Sequence, residues 1–229
     1  MTTYLKTPIF AITLTILIYS LAKYISKKTK LDIFNPIALS MIAIIYILQY
    51  TKVDYNTYNS GTSIITFFLG PATVALAIPL YKKINLLRQN FLPIFIGAFV
   101  GSLTGITSVV VLGRAFKLDK TVILSMIPKS TTSAIAMDIS TAIGGHLALT
   151  IVFVMITGLV GNIFGPSIFK LFKINNKIAR GISLGTASHV IGTSKAVELG
   201  EVEGGMSSLA IGIAGLVTVF LAPLIIKFI

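Results

Sequence analysis

Residues 121–145 read TVILSMIPKSTTSAIAMDISTAIGG. Apolar runs open and close the stretch, while its centre holds Pro128, Lys129 and the hydroxyls of Ser130, Thr131, Thr132 and Ser133. A hydrocarbon core of roughly 30 Å takes about 20 helical residues, so the stretch is long enough for one crossing. Its polar centre argues for a hairpin instead. Proline removes a helical hydrogen bond, and irregular backbone at membrane depth survives only where protein buries it or it lines a polar cavity.

The surroundings make the membrane the solvent. Of 229 residues, 55% are hydrophobic and only 11% charged, which leaves too few polar groups to coat a soluble globule. Apolar runs near 8–22, 34–50, 61–81, 90–113, 121–145, 146–172, 179–203 and 205–229 give eight segments. All are expected to be helical, because an open sheet leaves its edges unpaired in lipid. The first is not a removable signal, since seven more follow. The fold class is therefore all-α integral membrane: a polytopic bundle of about 6–8 membrane segments, some broken or re-entrant, in a single domain over 1–229. Within it, 1–60 supplies two plain scaffold helices, and 61–120 a broken helix plus a helix.

The net charge of +12 is read as topology and not as a nucleic-acid surface. Basic residues cluster at Lys23, Lys27, Lys28 and Lys30, at Lys82, Lys83 and Arg88, and at Lys170, Lys173, Lys177 and Arg180, where the positive-inside rule places cytoplasmic loops. Three full crossings between the second and third clusters would put the third outside. One of the three segments must fail to cross, and 121–145 is the best suited. Arg114, Lys117 and Lys120 then lie outside, against the rule.

An internal repeat agrees with this. GLVGNIFGP at 158–166 matches GLVTVFLAP at 215–223, an offset of 57 at which the Ser/Thr-rich fifth segment falls on the Ser/Thr-rich seventh. Units 121–173 and 176–229 would each be a hairpin plus a crossing helix, inverted relative to one another as in many secondary transporters. Chance matches of Gly, Leu and Val are the competing explanation.

Buried polar groups mark the candidate site. A cation at membrane depth costs roughly 2.5–3.5 kcal/mol and usually faces a cavity. Lys129 with Ser130, Thr131, Thr132 and Ser133 therefore reads as an anion site, although a snorkelling lysine and hydroxyls bonded to their own helix are the plain alternative. In the seventh segment Thr186, Ser188, His189, Gly192 and Thr193 suit a broken helix facing a carboxylate. His189 has the chemistry to couple transport to protons, or simply to donate a structural hydrogen bond. Lys195 and Glu198 suit an i,i+3 pair, and Glu201 and Glu203 solvated ends. Pro71 and Thr73 of the third segment offer a further wall or a kink. Asp138 would meet Lys129 across a hairpin, and Gly97, Gly101 and Gly105 form a packing face.

The absence of cysteine and the presence of only two histidines leave no thiolate or multi-histidine metal site, and no cofactor is expected. HExxH and Walker motifs are missing, so no enzyme is expected.

The stretches GPATVALAIPLYKK (70–83), SMIPKSTTSAIAM (125–137) and ARGISLGTASHVIGTSKAVELG (179–200) resemble the LrgB/CidB family of bacterial membrane proteins over essentially the whole chain. The sequence departs at Ala134, where many members carry proline, which would soften the break there. The resemblance implies a multi-pass protein of the cytoplasmic membrane. One tradition makes such proteins holin/antiholin-like regulators of murein hydrolase activity and lysis, acting with a small LrgA/CidA-type partner. The other makes them carriers of small carboxylates such as pyruvate, akin to plastid glycolate/glycerate translocators. The buried lysine and hydroxyls favour the carrier, gradient coupled, with the bilayer, a small monocarboxylate and a second copy of the chain as expected partners.

Overall fold

A computed structural model describes residues 7–29, 34–68, 71, 81 and 84–228. Every regular element among them is a helix, and the chain divides into two compact units, residues 1–78 and 79–229.

In the first unit, α1 (Pro8–Thr29) and α2 (Pro36–Thr51) are the two apolar helices expected. Asn35 starts α2 by accepting the amides of Ile37 and Ala38 at 2.9 and 3.4 Å, with proline where its missing N–H costs nothing. Two short helices, α3 (Tyr55–Gly61) and α4 (Ser63–Phe67), follow. α3 returns to α1, where the hydroxyls of Tyr58 and Thr15 meet at 2.7 Å. Gly61 permits the approach, since a Cβ there would lie 2.8 Å from that of Ala11. Most of the third expected segment, including Gly70, Thr73 and Pro79, lies outside the described residues; Pro71 is exposed.

The second unit runs α5 (Ile84–Gln89), α6 (Phe91–Ala115), α7 (Lys120–Met126), α8 (Ser133–Ile143), α9 (Leu147–Leu171), α10 (Lys177–Leu199), α11 (Glu201–Ile225) and a closing 3-10 turn. By length and composition α1, α6, α9 and α11 are able to cross a membrane, and α2 and α8 are shorter apolar helices. Each 25-residue helix extends about 38 Å at roughly 1.5 Å per residue.

The ends of α6 and α9 are built alike. Lys117 and Lys173 take left-handed φ values of 52° and 53°. The amides of Leu118 and Ile174 then reach back to Gly113 and Phe169 carbonyls at 2.9 and 2.8 Å, closing Schellman caps. Lysine replaces the usual glycine, and its charge suits the negative end of the helix dipole.

Residues 121–145 do double back. The amide of His146 donates to the Ser125 hydroxyl at 2.7 Å, 21 residues away, and Gly145 packs on the backbone of Leu124 and Ser125. α7 and α8 are therefore the two arms of one hairpin. Thr132 caps α8 by accepting from the Ile135 amide, so the break forms with alanine at position 134.

α10 also folds on itself. Its helical geometry fails at Ser188 (φ −134°, ψ 17°) and His189 (φ 43°, ψ −137°). Near its start Gly181 packs on Glu203, and near its end Val197 packs on Gly204. Both ends thus meet the same turn of α11, which makes 177–187 and 190–199 two antiparallel arms. α11 begins at Glu201, four residues earlier than the hydropathy suggests. Glu203 is consequently buried in its first turn and is not the solvated end expected, because a carboxylate there faces the unpaired amides of a helix N-terminus.

α6 ties the hairpins together. Gly97 and Gly101 pack on Ile182 and Thr186 of the second, and Gly113 packs on Ile123 of the first. Gly105 has nothing within 4 Å, so only part of the expected glycine face is a packing face. Arg88, Lys170, Lys173, Lys177 and Arg180 thereby fall at one end of this unit. Arg114, Lys117, Lys120 and Lys227 fall at the other.

Candidate functional site

The two hairpins approach each other along α11. The base of the first lies by Ala222, where Ile143 joins one buried cluster, and nearer its tip Ile135 lies against Gly215. The base of the second lies by Glu203 and Gly204, and nearer its tip Gly185 packs on Ser207 while Thr193 bonds the Ser207 hydroxyl at 2.7 Å. The tips therefore point at one another between Ser207 and Gly215, a stretch of about 12 Å of helix.

The first tip keeps donors uncommitted. Pro128 is fully buried and Thr131 nearly so, with the Thr131 hydroxyl donating to the Pro128 carbonyl at 2.9 Å. Lys129, Ser130 and Ser133 are half-buried and have no side-chain hydrogen bond or ion pair among the described residues. The first amides of α8 open at the same place, the positive end of its dipole.

The second tip is braced. The His189 ring donates from Nε2 to the Val154 carbonyl at 2.9 Å, which leaves Nδ1 as the acceptor of the neutral ring. The Asn162 amide donates to the Ile191 carbonyl at 2.8 Å, and Thr193 donates to the His189 carbonyl at 2.9 Å. A non-glycine residue at the φ and ψ of His189 costs about 1–3 kcal/mol, and these bonds offset it. Glycines on α9 make room: Gly158 faces His189, Gly161 faces Ser188 and Gly165 faces Leu184. Gly192 faces Ser188 and the Leu184 carbonyl, so its role is to let the arms close. Thr186 is buried, and its hydroxyl has no partner among the described residues.

The remaining expected residues are not brought to the tips. Asp138 is exposed on an apolar groove with Ile135, Ala142, Val219 and Pro223. No ion pair joins it to Lys129 among the described residues: Lys129 lies in the tip turn itself, whereas Asp138 is in the second turn of α8, on the groove with Val219 and Pro223. Lys195 pairs with Glu198 at 3.1 Å on the second arm, as the spacing predicts. Sequence reasoning misses Asn162, Ser207 and the buried Ser140–Thr150 hydroxyl pair, 2.7 Å apart. Asn162 does carry a signal, a carboxamide amid the otherwise apolar GLVGNIFGP.

Opposed helix hairpins with polar tips, held among membrane-length apolar helices, define a multi-spanning membrane protein with a polar interior. The chain belongs to the LrgB-like family, whose model matches residues 15–228. It is 38% identical over 220 residues to YwbG of Bacillus subtilis (strain 168), covering 96% of this chain and 98% of that protein. It is 36% identical over 224 residues to proteins named antiholin-like protein LrgB in Bacillus mycoides (strain KBAB4) and Bacillus cereus (strain B4264), covering 97% of each chain. No solved structure matches the chain significantly.

Proposed function

We propose that this protein is a carrier of small monocarboxylates such as pyruvate or glycolate across the cytoplasmic membrane, driven by an ion or solute gradient, and not an enzyme. The observation that carries the reading is the pair of opposed tips. Lys129, Ser130 and Ser133 supply a cation and free hydroxyls, and the N-terminus of α8 adds amides, beside the Ser188–His189 break. Charge-assisted bonds to a carboxylate are the strong ones, and a partly enclosed lysine without a carboxylate partner among the described residues is suited to a transported one.

An inverted repeat supports the same reading. The first hairpin closes between Leu124 and His146 and the second between Gly181 and Glu203, positions related by the 57-residue offset seen in the sequence. With both hairpins re-entrant, α6, α9 and α11 cross and the Lys170–Arg180 cluster shares a side with Arg88. That is the arrangement the positive-inside rule asks of a cytoplasmic face.

Uptake of labelled pyruvate and glycolate into proteoliposomes holding this protein alone tests the proposal. Saturable uptake is expected, with at least a tenfold loss in Lys129→Ala. Full transport with unchanged affinity in that variant sinks the site, and unselective leakage sinks the carrier.

A second reading is regulation of murein hydrolase activity and lysis with a small LrgA/CidA-type partner. The relatives' antiholin-like names favour it, and so does Asp138, a carboxylate on an apolar face, which is costly against lipid and suited to burial by another protein or a second copy.

A further inference from the structure

A groove runs between α6 and the first arm of the second hairpin. It holds an open space of about 560 Å3, lined by Gly101, Asn176, Ser183, Thr186 and Ala187 together with apolar side chains such as Ile182. Asn176 lies at its outer end, beside Lys173, Lys177 and Arg180, and Ala187 lies at its inner end, next to the Ser188–His189 break. The corresponding space beside the first hairpin is shut. There Ile106, Val109 and Val110 of α6 interlock with Ile123, Leu124 and Ile127, all buried in one apolar cluster. Along α6 the unit is thus open beside the second hairpin and sealed beside the first.

We infer that this groove is a water-filled entrance from the basic face, by which a small hydrated anion reaches the second hairpin tip while the opposite entrance is closed by the Val109–Ile123 cluster. Four observations support water over lipid. The mouth is cationic and carries an amide side chain, so it attracts anions. Gly101 has no side chain and is exposed along the wall. Ser183 and Ala187, one turn apart on the arm, are both exposed. Thr186, at the inner end, has a buried hydroxyl without a partner among the described residues, and such groups are ordinarily satisfied by water or ligand. At roughly 30 Å3 per water, the space accommodates a small carboxylate with part of its hydration shell. The solute's identity rests on the carrier reading; the presence of water and its one-sidedness do not.

The chain has no cysteine, so single-cysteine variants need no prior substitution. Ser183→Cys and Ala187→Cys report on the groove, Val110→Cys on the sealed cluster, and Val160→Cys on an apolar surface of α9 that is 49% exposed. Each is treated in proteoliposomes with an anionic, membrane-impermeant thiosulfonate from either side, and separately with a small apolar maleimide. The groove positions are expected to react with the anionic reagent at least tenfold faster than Val160→Cys, only from the side bearing Lys170 to Arg180, and more slowly with pyruvate present. Val110→Cys should resist it from both sides. Reaction of the groove positions with the maleimide alone, or equally from both sides, overturns the inference. One-sided reaction without pyruvate protection and without uptake supports the entrance while the monocarboxylate carrier reading fails.

Discussion

Gly161 is where the second hairpin tip is most tightly constrained, and Gly161→Ala tests that packing. A Cβ at this position would overlap the Ser188 hydroxyl and lie 2.5 Å from its Cβ, with the Ser188 backbone at 3.8 Å. Ser188 cannot swing aside, because its backbone is the break itself and the residues around it are tied to Val154, Asn162 and Ser207. Overpacking costs about 1–3 kcal/mol, and a neighbour fixed by its backbone argues for the upper end. Against this, alanine gains about 1 kcal/mol over glycine in a helix interior. The net loss is about 2 kcal/mol, a fall in Tm of roughly 4–8 °C for a chain of this size. In a Ser188→Gly background both overlapping atoms are gone and the Cα of residue 188 stands at an ordinary van der Waals distance of 3.8 Å, so the same substitution should raise Tm by roughly 2–4 °C. Gly212→Ala, with nothing within 4 Å of the added Cβ, should behave like the relieved case. Thermal unfolding of the detergent-purified variants gives the cycle directly. Equal shifts in both backgrounds, or a stabilised Gly161→Ala with Ser188 intact, would refute the packing argument.

Asn162→Leu should cost about 1–3 kcal/mol by leaving the Ile191 carbonyl buried and unpaired, read as a lower Tm; an unchanged Tm would mean water replaces the amide. His189→Gln keeps an Nε2 donor for the Val154 carbonyl, so stability and the pH profile of uptake should both survive. A flattened pH profile with intact stability would instead make the imidazole a proton carrier. Glu198→Gln should change stability by less than about 1 kcal/mol, as for an exposed ion pair.

The helical membrane class was legible because burial in lipid demands long apolar runs. The first hairpin was legible because a proline, a lysine and four hydroxyls interrupt one of them. The second was harder to read. Its arms have no proline at the break, and a non-glycine residue, His189, occupies the positive φ, so neither residue type marks the turn. The cause lies on another element, where Gly158, Gly161 and Gly165 clear the space and Asn162 holds the freed carbonyl. Such a break is written in the partner helix, which periodicity along its own helix does not reveal. The Asp138–Lys129 pairing failed for a related reason, since a hairpin fixes which arm lies beside which but not which face each side chain takes.

Composition alone makes the two tips look equivalent, since both are rich in Ser and Thr, yet their hydrogen bonds divide the work. At the second tip the hydroxyl of Thr193 is engaged twice, with the His189 carbonyl and with Ser207, so its removal should act on stability. At the first tip Ser130 and Ser133 are without partners among the described residues, so their removal should leave the fold intact and act on the bound anion. Ser130→Ala with Ser133→Ala is therefore expected to raise the half-saturating concentration for pyruvate several-fold with Tm unchanged within about 2 °C. Thr193→Val is expected to lower Tm by roughly 2–8 °C, from about 1–2 kcal/mol of lost hydrogen bonding. Uptake titrations and unfolding curves on the same preparations separate the two effects. If the Ser130 and Ser133 pair proves to stabilise the fold while leaving uptake untouched, the hydroxyls at the first tip serve the hairpin, and the anion must be held elsewhere.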